Sequence, residues 1–243
     1  MGDSVHGGAA GRVPFRAGGI VPFSTTDWPG RLAAVVFAQG CPWRCGYCHN
    51  PLLIPFQGTD ERDWPAVLAW LATRKGLLEA VVFSGGEPTA QPGLVDALRE
   101  VRELGFATGL HTAGVYPRGL PELLPHLDWV GLDIKAPVAD YQRVAGPAGS
   151  GLGAFVALAL LQEADVAFEV RTTVHFDLTP PEMLENLARE LAAVGLREWI
   201  LQPFRAQGCA DAILNAAAPQ GARIDEGLLA RLREAVPGVV VRA

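Results

Sequence analysis

The chain has 243 residues, a formal net charge of −6 and a pI near 5.4, with 49% hydrophobic and 19% charged residues. That is the composition of a globular protein with one sizeable core, and its acidic balance, without clustered Lys and Arg, excludes a nucleic-acid-binding surface, because phosphates need cationic patches. The longest apolar stretches, Leu32–Phe37 and Ala154–Leu161, fall well short of the roughly 20 residues that span a bilayer, and Met1–Ala17 lacks the apolar run of a secretory signal, so no membrane association and a cytoplasmic location are expected.

Residues 1–18 are rich in Gly and Ala with no apolar periodicity, which predicts a disordered segment and leaves 19–243 as a single domain. From there Leu32–Phe37, Ala80–Phe83, Ala107–Leu110, Trp129–Ile134, Ala167–Val174 and Glu198–Leu201 read as six strands. Between them, Trp64–Thr73, Gly93–Leu104, Leu120–His126, Leu152–Glu163 and Pro181–Val194 carry apolar residues at helical spacing. Continuous apolar strands such as Leu-Ala-Ala-Val-Val-Phe indicate burial on both faces and hence a parallel α/β sheet. A last helix at Asp225–Ala235 and a strand at Val239–Val241 are expected at its edge or base. Periodicity does not separate an open doubly wound sheet from a barrel, but both place chemistry at the strand C-termini. Gln39-Gly-Cys41, Ser84-Gly-Gly-Glu87, His111-Thr-Ala-Gly114, Asp133 with Lys135, Arg171 with Thr172, and Gln202-Pro-Phe-Arg205 all fall there, so one mouth should collect them.

Four cysteines, three of them within eight residues, make a poor disulfide framework and a better thiolate ligand set. Cys41, Cys45 and Cys48 lie on a loop after a strand, where one tight turn converges their sulfurs. Three thiolates ligate three irons of a cubane cluster and leave the fourth iron open to a small molecule. The alternatives are structural zinc, which would recruit His49 or the distant Cys209 as fourth ligand, and cysteines that are plain core residues. Gly85-Gly86-Glu87 taken alone is a strand-to-helix turn, with glycine for positive φ and Glu for the helix start.

The spacing Cys41, Cys45, Tyr47, Cys48 resembles the signature of the radical S-adenosylmethionine (SAM) superfamily, and Ser84-Gly-Gly-Glu-Pro88 continues the resemblance. The family implies a partial (β/α)6 TIM-like barrel, one 4Fe-4S cluster on Cys41, Cys45 and Cys48, and bound SAM, whose methionyl amino group Gly85, Gly86 and Glu87 would hold. Thr26-Asp-Trp-Pro-Gly-Arg31, Gln39-Gly-Cys41 and Cys48-His-Asn-Pro51 further resemble activases of glycyl radical enzymes. Leu110-His-Thr-Ala-Gly114, Trp129-Val-Gly-Leu-Asp-Ile-Lys-Ala-Pro137 and Gln202-Pro-Phe-Arg-Ala-Gln-Gly-Cys209 look most like the branch that activates anaerobic ribonucleoside-triphosphate reductase. The resemblance covers nearly all of 19–209 and implies reductive cleavage of SAM to a 5′-deoxyadenosyl radical that takes a hydrogen from a glycine of the partner. The implied partners are that reductase and an electron donor such as flavodoxin or ferredoxin.

Within that frame, Tyr47 and His49 are expected at the adenine, with a packing role as the alternative for Tyr47. Asp133 and Lys135, alternate residues on one face, are expected to orient the ribose and carboxylate of SAM. Arg171, a guanidinium in an apolar strand, needs an anionic partner: the SAM carboxylate, or a structural carboxylate such as Glu169. His111 is the weakest candidate and reads equally as a hydrogen-bonded strand-end residue. His111, Ala113 and Arg205 depart from the pattern of pyruvate formate-lyase activases, which puts a cation site carried over from them in doubt. Cys209 is expected to be a free thiol. Two enzyme alternatives are an activase of another glycyl radical enzyme and a small-molecule radical SAM enzyme such as a deazaguanine synthase, and the non-enzyme alternative is a metal or iron-sulfur binding module.

Overall fold

The computed structural model describes residues 13–221 and 223–242. One eight-stranded sheet runs through it in the order β1 to β8, each strand beside its sequence neighbour. The strands are β1 (Ala17–Ser24), β2 (Ala33–Ala38), β3 (Ala80–Gly85), β4 (Ala107–Thr112), β5 (Trp129–Asp133), β6 (Ala167–Val174), β7 (Glu198–Pro203) and β8 (Gly238–Val241). Only β1 is antiparallel, to β2, and every later pair is parallel. The helices are α1 (Trp64–Ala72), α2 (Leu94–Glu103), α3 (Leu120–Leu123), α4 (Tyr141–Ala145), α5 (Ser150–Glu163), α6 (Pro181–Ala193), α7 (Ala212–Gly221) and α8 (Glu226–Ala235).

A parallel sheet built in strict sequence order returns every crossover on the same side. Accordingly Val36, Phe83, Leu110 and Leu132 share one core cluster with Val67 of α1, Leu98 of α2, Leu158 of α5 and Leu187 of α6. The other parity of the strands, Ala33, Val35, Ala80, Val82 and Trp129, forms a second cluster closed by Trp28. The sheet is thus a curled, unclosed half-barrel with β1 and β8 as its two edges, the partial barrel that the resemblance implies. Small residues line its inner face so that the connection between β1 and β2 can fill the lumen. Trp28 stacks on Trp129 with ring centroids 5.5 Å apart, and a Cβ on Gly109 would stand 2.8 Å from the Trp28 ring.

The expected strands and crossover helices recur within a few residues. Strand β1 was not expected, and the fold begins before Gly19, earlier than the boundary drawn from composition. Phe15 is buried against Trp64 and Phe83, at 5.3 and 5.2 Å between centroids. Arg16 Nε donates to Glu61 (2.8 Å), and the Arg62 N–H donates to the Ala17 carbonyl (2.7 Å). Residues 1–12, on which the rest of that expectation falls, lie outside the described residues.

Gly109→Ala should lower stability by about 1–3 kcal/mol, because the added Cβ meets an indole already stacked on Trp129. Gly119→Ala, whose Cβ meets nothing within 4 Å, should stay within about 0.5 kcal/mol of the parent. Urea unfolding of the two variants checks the difference.

Candidate active site

The loop after β2 is tied down by its own backbone. The Gly40 N–H donates to the Leu53 carbonyl (2.8 Å), Cys41 N–H to Ile54 (3.0 Å) and Cys48 N–H to Cys45 (3.1 Å). Its outer side rests on α4, with the Arg44 N–H on the Ala145 carbonyl (3.0 Å) and the Gly46 N–H on that of Val144 (3.2 Å). The turn after β3 closes on the same loop: the Gly86 N–H donates to the Ala38 carbonyl (3.0 Å) and Glu87 N–H to Gly40 (2.9 Å). Here the two glycines are obligatory. A Cβ on Gly86 would stand 2.3 Å from the Gly40 carbonyl oxygen, while Gly85 has φ +103° and room for a Cβ only at 2.7 Å from Ala38 N.

Between the two loops lies a cavity of about 150 Å³ lined by Cys41, Cys45, Cys48, Gly85, Gly86 and Glu87, together with Tyr47, His49, Asp133 and Lys135. The structure therefore brings together every predicted site residue except Arg171. Glu87 is buried, which pushes its carboxyl pKa up. Its Oε1 accepts from Thr112 Oγ1 (2.7 Å) and from Thr89 Oγ1 (2.6 Å) and N–H (3.1 Å), and its Oε2 accepts from the Ala113 N–H (3.0 Å). Most of this carboxylate is thus spent on joining the ends of β3 and β4, with Oε2 holding a single internal donor.

Arg171 answers its need for an anion within the chain. Its Nε and Nη2 lie 2.9 and 2.8 Å from Asp133 Oδ1, whereas Glu169 pairs with Arg242. The guanidinium can cross the inner face because position 131 is glycine, where a Cβ would stand 2.7 Å from Arg171 Nη1. Lys135 Nζ lies 3.7 Å from Asp133 Oδ2 and 5.5 Å from the Tyr47 ring centre. Burial pushes the Asp133 pKa up, but Arg171 and Lys135 outweigh it and hold the carboxyl below its ordinary value. Tyr47 is buried, and its hydroxyl has no hydrogen-bond partner among the described residues. His49 stacks on Phe204 at 5.3 Å and donates from Nε2 to the Arg205 carbonyl (2.8 Å).

His49, Asp133 and Thr173 also belong to a second, larger cavity of about 440 Å³ that sits between the two sheet edges, beside Thr25–Asp27, Arg171, Gln202, Arg205 and Arg242. Sequence reasoning missed this cavity and missed Thr173, whereas Thr112 belongs to the His111–Gly114 segment expected at the mouth. Thr173 shares the strand face of Arg171 two residues earlier, a signal that was available. His111 is the strand-end residue of the weaker reading: Nε2 donates to the Asp27 carbonyl (2.7 Å), leaving Nδ1 to accept from Ser84 Oγ (3.2 Å). Burial, aided by the charge of Arg171, lowers its pKa to about 3.

The donor set fits a cluster held by three thiolates. Burial pushes the Cys41 thiol up to about 11 and raises that of Cys45, and a cationic centre bound to these sulfurs would favour their thiolate forms. Cys209 lies behind the loop, its Sγ 3.9 Å from the Gly46 carbonyl and 3.4 Å from the Asp211 N–H, and lines neither cavity. Among the described residues no three His, Cys, Asp or Glu side chains are gathered around one metal-ion position.

A model of the radical SAM superfamily matches residues 35–191. A Methanocaldococcus jannaschii protein named as a glycyl-radical enzyme activating enzyme is 28% identical over 200 residues, 79% of this chain and 81% of that protein. The pyruvate formate-lyase-activating enzyme of Clostridium pasteurianum is 37% identical over 143 residues, 56% of this chain. The PqqA peptide cyclase of Gluconobacter oxydans is 36% identical over 164 residues, 63% of this chain. The chain spans only 60% of the former enzyme and 44% of the latter. SuiB of Streptococcus suis, crystallised with its precursor peptide SuiA, shares the fold at TM-score 0.62 and 14% identity, with 86% of this chain and 48% of SuiB aligned.

His111 should remain the neutral Nε2–H tautomer from pH 5 to 8, as read by imidazole ¹⁵N NMR. In the unfolded chain the same imidazole protonates near pH 6.5, so its folded environment costs stability as pH falls below that value. Stability lost between pH 7.5 and 5.5 should therefore be smaller in His111→Gln than in the parent.

Proposed function

The chain belongs to the radical SAM superfamily, whose cofactors are a 4Fe-4S cluster and SAM, and from that premise we propose that it activates a glycyl radical enzyme, namely anaerobic ribonucleoside-triphosphate reductase. The observation that carries the activase reading is the M. jannaschii relative, matched over 79% of this chain and 81% of its own length. The choice of reductase rests on the resemblance of the segments at residues 110–114, 129–137 and 202–209. Reducing equivalents would come from a flavodoxin or ferredoxin.

In this reading Cys41, Cys45 and Cys48 hold the cluster, and Gly85, Gly86 and Glu87 hold the methionyl end of SAM. When bound, the cluster supplies the electron that cleaves SAM, and SAM supplies the 5′-deoxyadenosyl radical that takes the hydrogen. The chain's own contribution is positioning and the exclusion of water. Gly86 lets the two loops meet without an intervening side chain, and the Thr112 and Ala113 donors to Glu87 fix the turn against β4. Asp133, anchored by Arg171, presents its second oxygen toward Lys135 and so keeps charge of both signs at the cavity wall. Tyr47 and His49 form the aromatic wall for the adenine. The stacked Trp28 and Trp129 close the lumen beneath. The second cavity, sharing Asp133 and His49 with the first, is where a glycine-bearing segment of the partner reaches the mouth.

A second reading, radical modification of a peptide, is favoured by the 36% identity to the PqqA peptide cyclase. Anaerobic incubation with the reductase, SAM and a reductant separates the two. An activase produces a glycyl radical doublet by electron paramagnetic resonance, whereas a peptide cyclase leaves the reductase silent and changes the mass of a peptide. Cys45→Ala should reduce SAM cleavage at least 100-fold with loss of cluster iron, and Cys209→Ala should retain both, as iron analysis and quantitation of 5′-deoxyadenosine will report.

A further inference from the structure

We propose that Lys135 is a positioning residue that sets the reduction potential of the iron-sulfur centre, beyond any contact it makes with SAM. The inference rests on the assignment of Cys41, Cys45 and Cys48 as the cluster's ligands.

The argument is one of charge in a confined space. Arg171, Asp133 and Lys135 form a trio with two positive charges and one negative. Arg171 takes Asp133 Oδ1 with two donors, at 2.9 and 2.8 Å. Lys135 has only the looser 3.7 Å approach to Oδ2. The surplus positive charge therefore sits on the lysine side of the trio, and that side is the one the three cysteines share: Lys135 lines the cysteine cavity and Arg171 lines the other. The ammonium has little water to disperse its charge, Lys135 being 8% exposed. It is also held in place. Its own N–H donates to Tyr141 Oη (3.1 Å), its Nζ lies 5.5 Å from the Tyr47 ring centre, and Tyr47 stands between Cys45 and Cys48 in the chain.

Burial works against the lysine's charge, but the Asp133 carboxylate, 3.7 Å away, stands against it and the lysine stays an ammonium. Glu87 lines the same cavity, but its carboxylate is taken up by four internal donors, so Lys135 is the cationic side chain that a cluster on those sulfurs would face across the cavity. Reduction adds one electron to an already anionic thiolate-bound centre, and a buried cation beside it favours the reduced form. The aromatic face of Tyr47 suits such a cation.

The test is a redox titration of the anaerobically reconstituted protein without SAM, followed by electron paramagnetic resonance, after iron and sulfide analysis has shown equal cluster content. Lys135→Met should shift the midpoint to lower potential, Lys135→Arg should stay near the parent, and Asp133→Asn should shift it upward. A Lys135→Met protein with a full cluster, an unmoved SAM-free midpoint and weaker SAM binding would assign the lysine to SAM alone and overturn the proposal. A parent chain that assembles no cluster would instead remove the ligand assignment beneath it. If Lys135→Met fails to fold, Lys135→Gln, which also removes the charge, takes its place: a lower SAM-free midpoint supports the proposal and an unmoved one overturns it.

Discussion

Two strand-end loops meet backbone to backbone at Gly86 and Gly40, and the candidate site depends on that approach. Strands β2 and β3 are adjacent and parallel, so both loops leave the sheet at the same end. Adjacent strands lie about 4.8 Å apart, and two loops that carry side chains between them would splay. The absence of any Cβ at Gly85 and Gly86 lets the second turn donate two N–H groups into the first, on the Ala38 and Gly40 carbonyls. One loop brings three thiols and the other brings a glycine-lined surface, so their contact makes a single cavity out of two separate sequence motifs. Glu87 then carries the constraint one strand further, by accepting from Thr112 and Ala113 at the end of β4.

The remaining walls follow from the curl of the sheet. Ala33, Val35, Ala80 and Val82 of its inner face are small where Phe83, Leu110 and Leu132 of its outer face are large, and the difference leaves a lumen that Trp28 fills against Trp129 from the connection between the first two strands. Gly131 performs for Arg171 what Gly109 performs for Trp28: each omits a side chain so that a larger one can cross. The guanidinium reaches Asp133, and the pair fixes the carboxylate that faces Lys135. Since β1 and β8 do not pair with each other, the larger cavity opens between the edges and joins the cysteine pocket through Asp133, Thr173 and His49.

Much of this was legible in the sequence where the physics is local. β-branched or apolar runs marked β2 to β7, and the cysteine spacing and the Gly-Gly-Glu turn marked two walls of one mouth. What escaped depends on distant partners. Strand β1 is interrupted by Gly18, Gly19 and Pro22 and owes its position to Phe15 and to pairing with β2. Helix α4 has only five residues and is held by the cysteine loop above it. Helix α7 contains Pro219 and Gly221, which argue against a helix on propensity alone. Arg171 could be seen to need an anion, but the one it takes is 38 residues away on the neighbouring strand, while the nearer Glu169 belongs to Arg242.

The central claim is that three thiols and a glycine turn form one SAM-responsive metal site, and spectroscopy of the reconstituted protein tests it most directly. The account predicts about four irons per chain and an electron paramagnetic resonance signal of the reduced cluster that changes on addition of SAM. Stoichiometric zinc with no response to SAM, or a cluster signal that SAM leaves untouched, would contradict it.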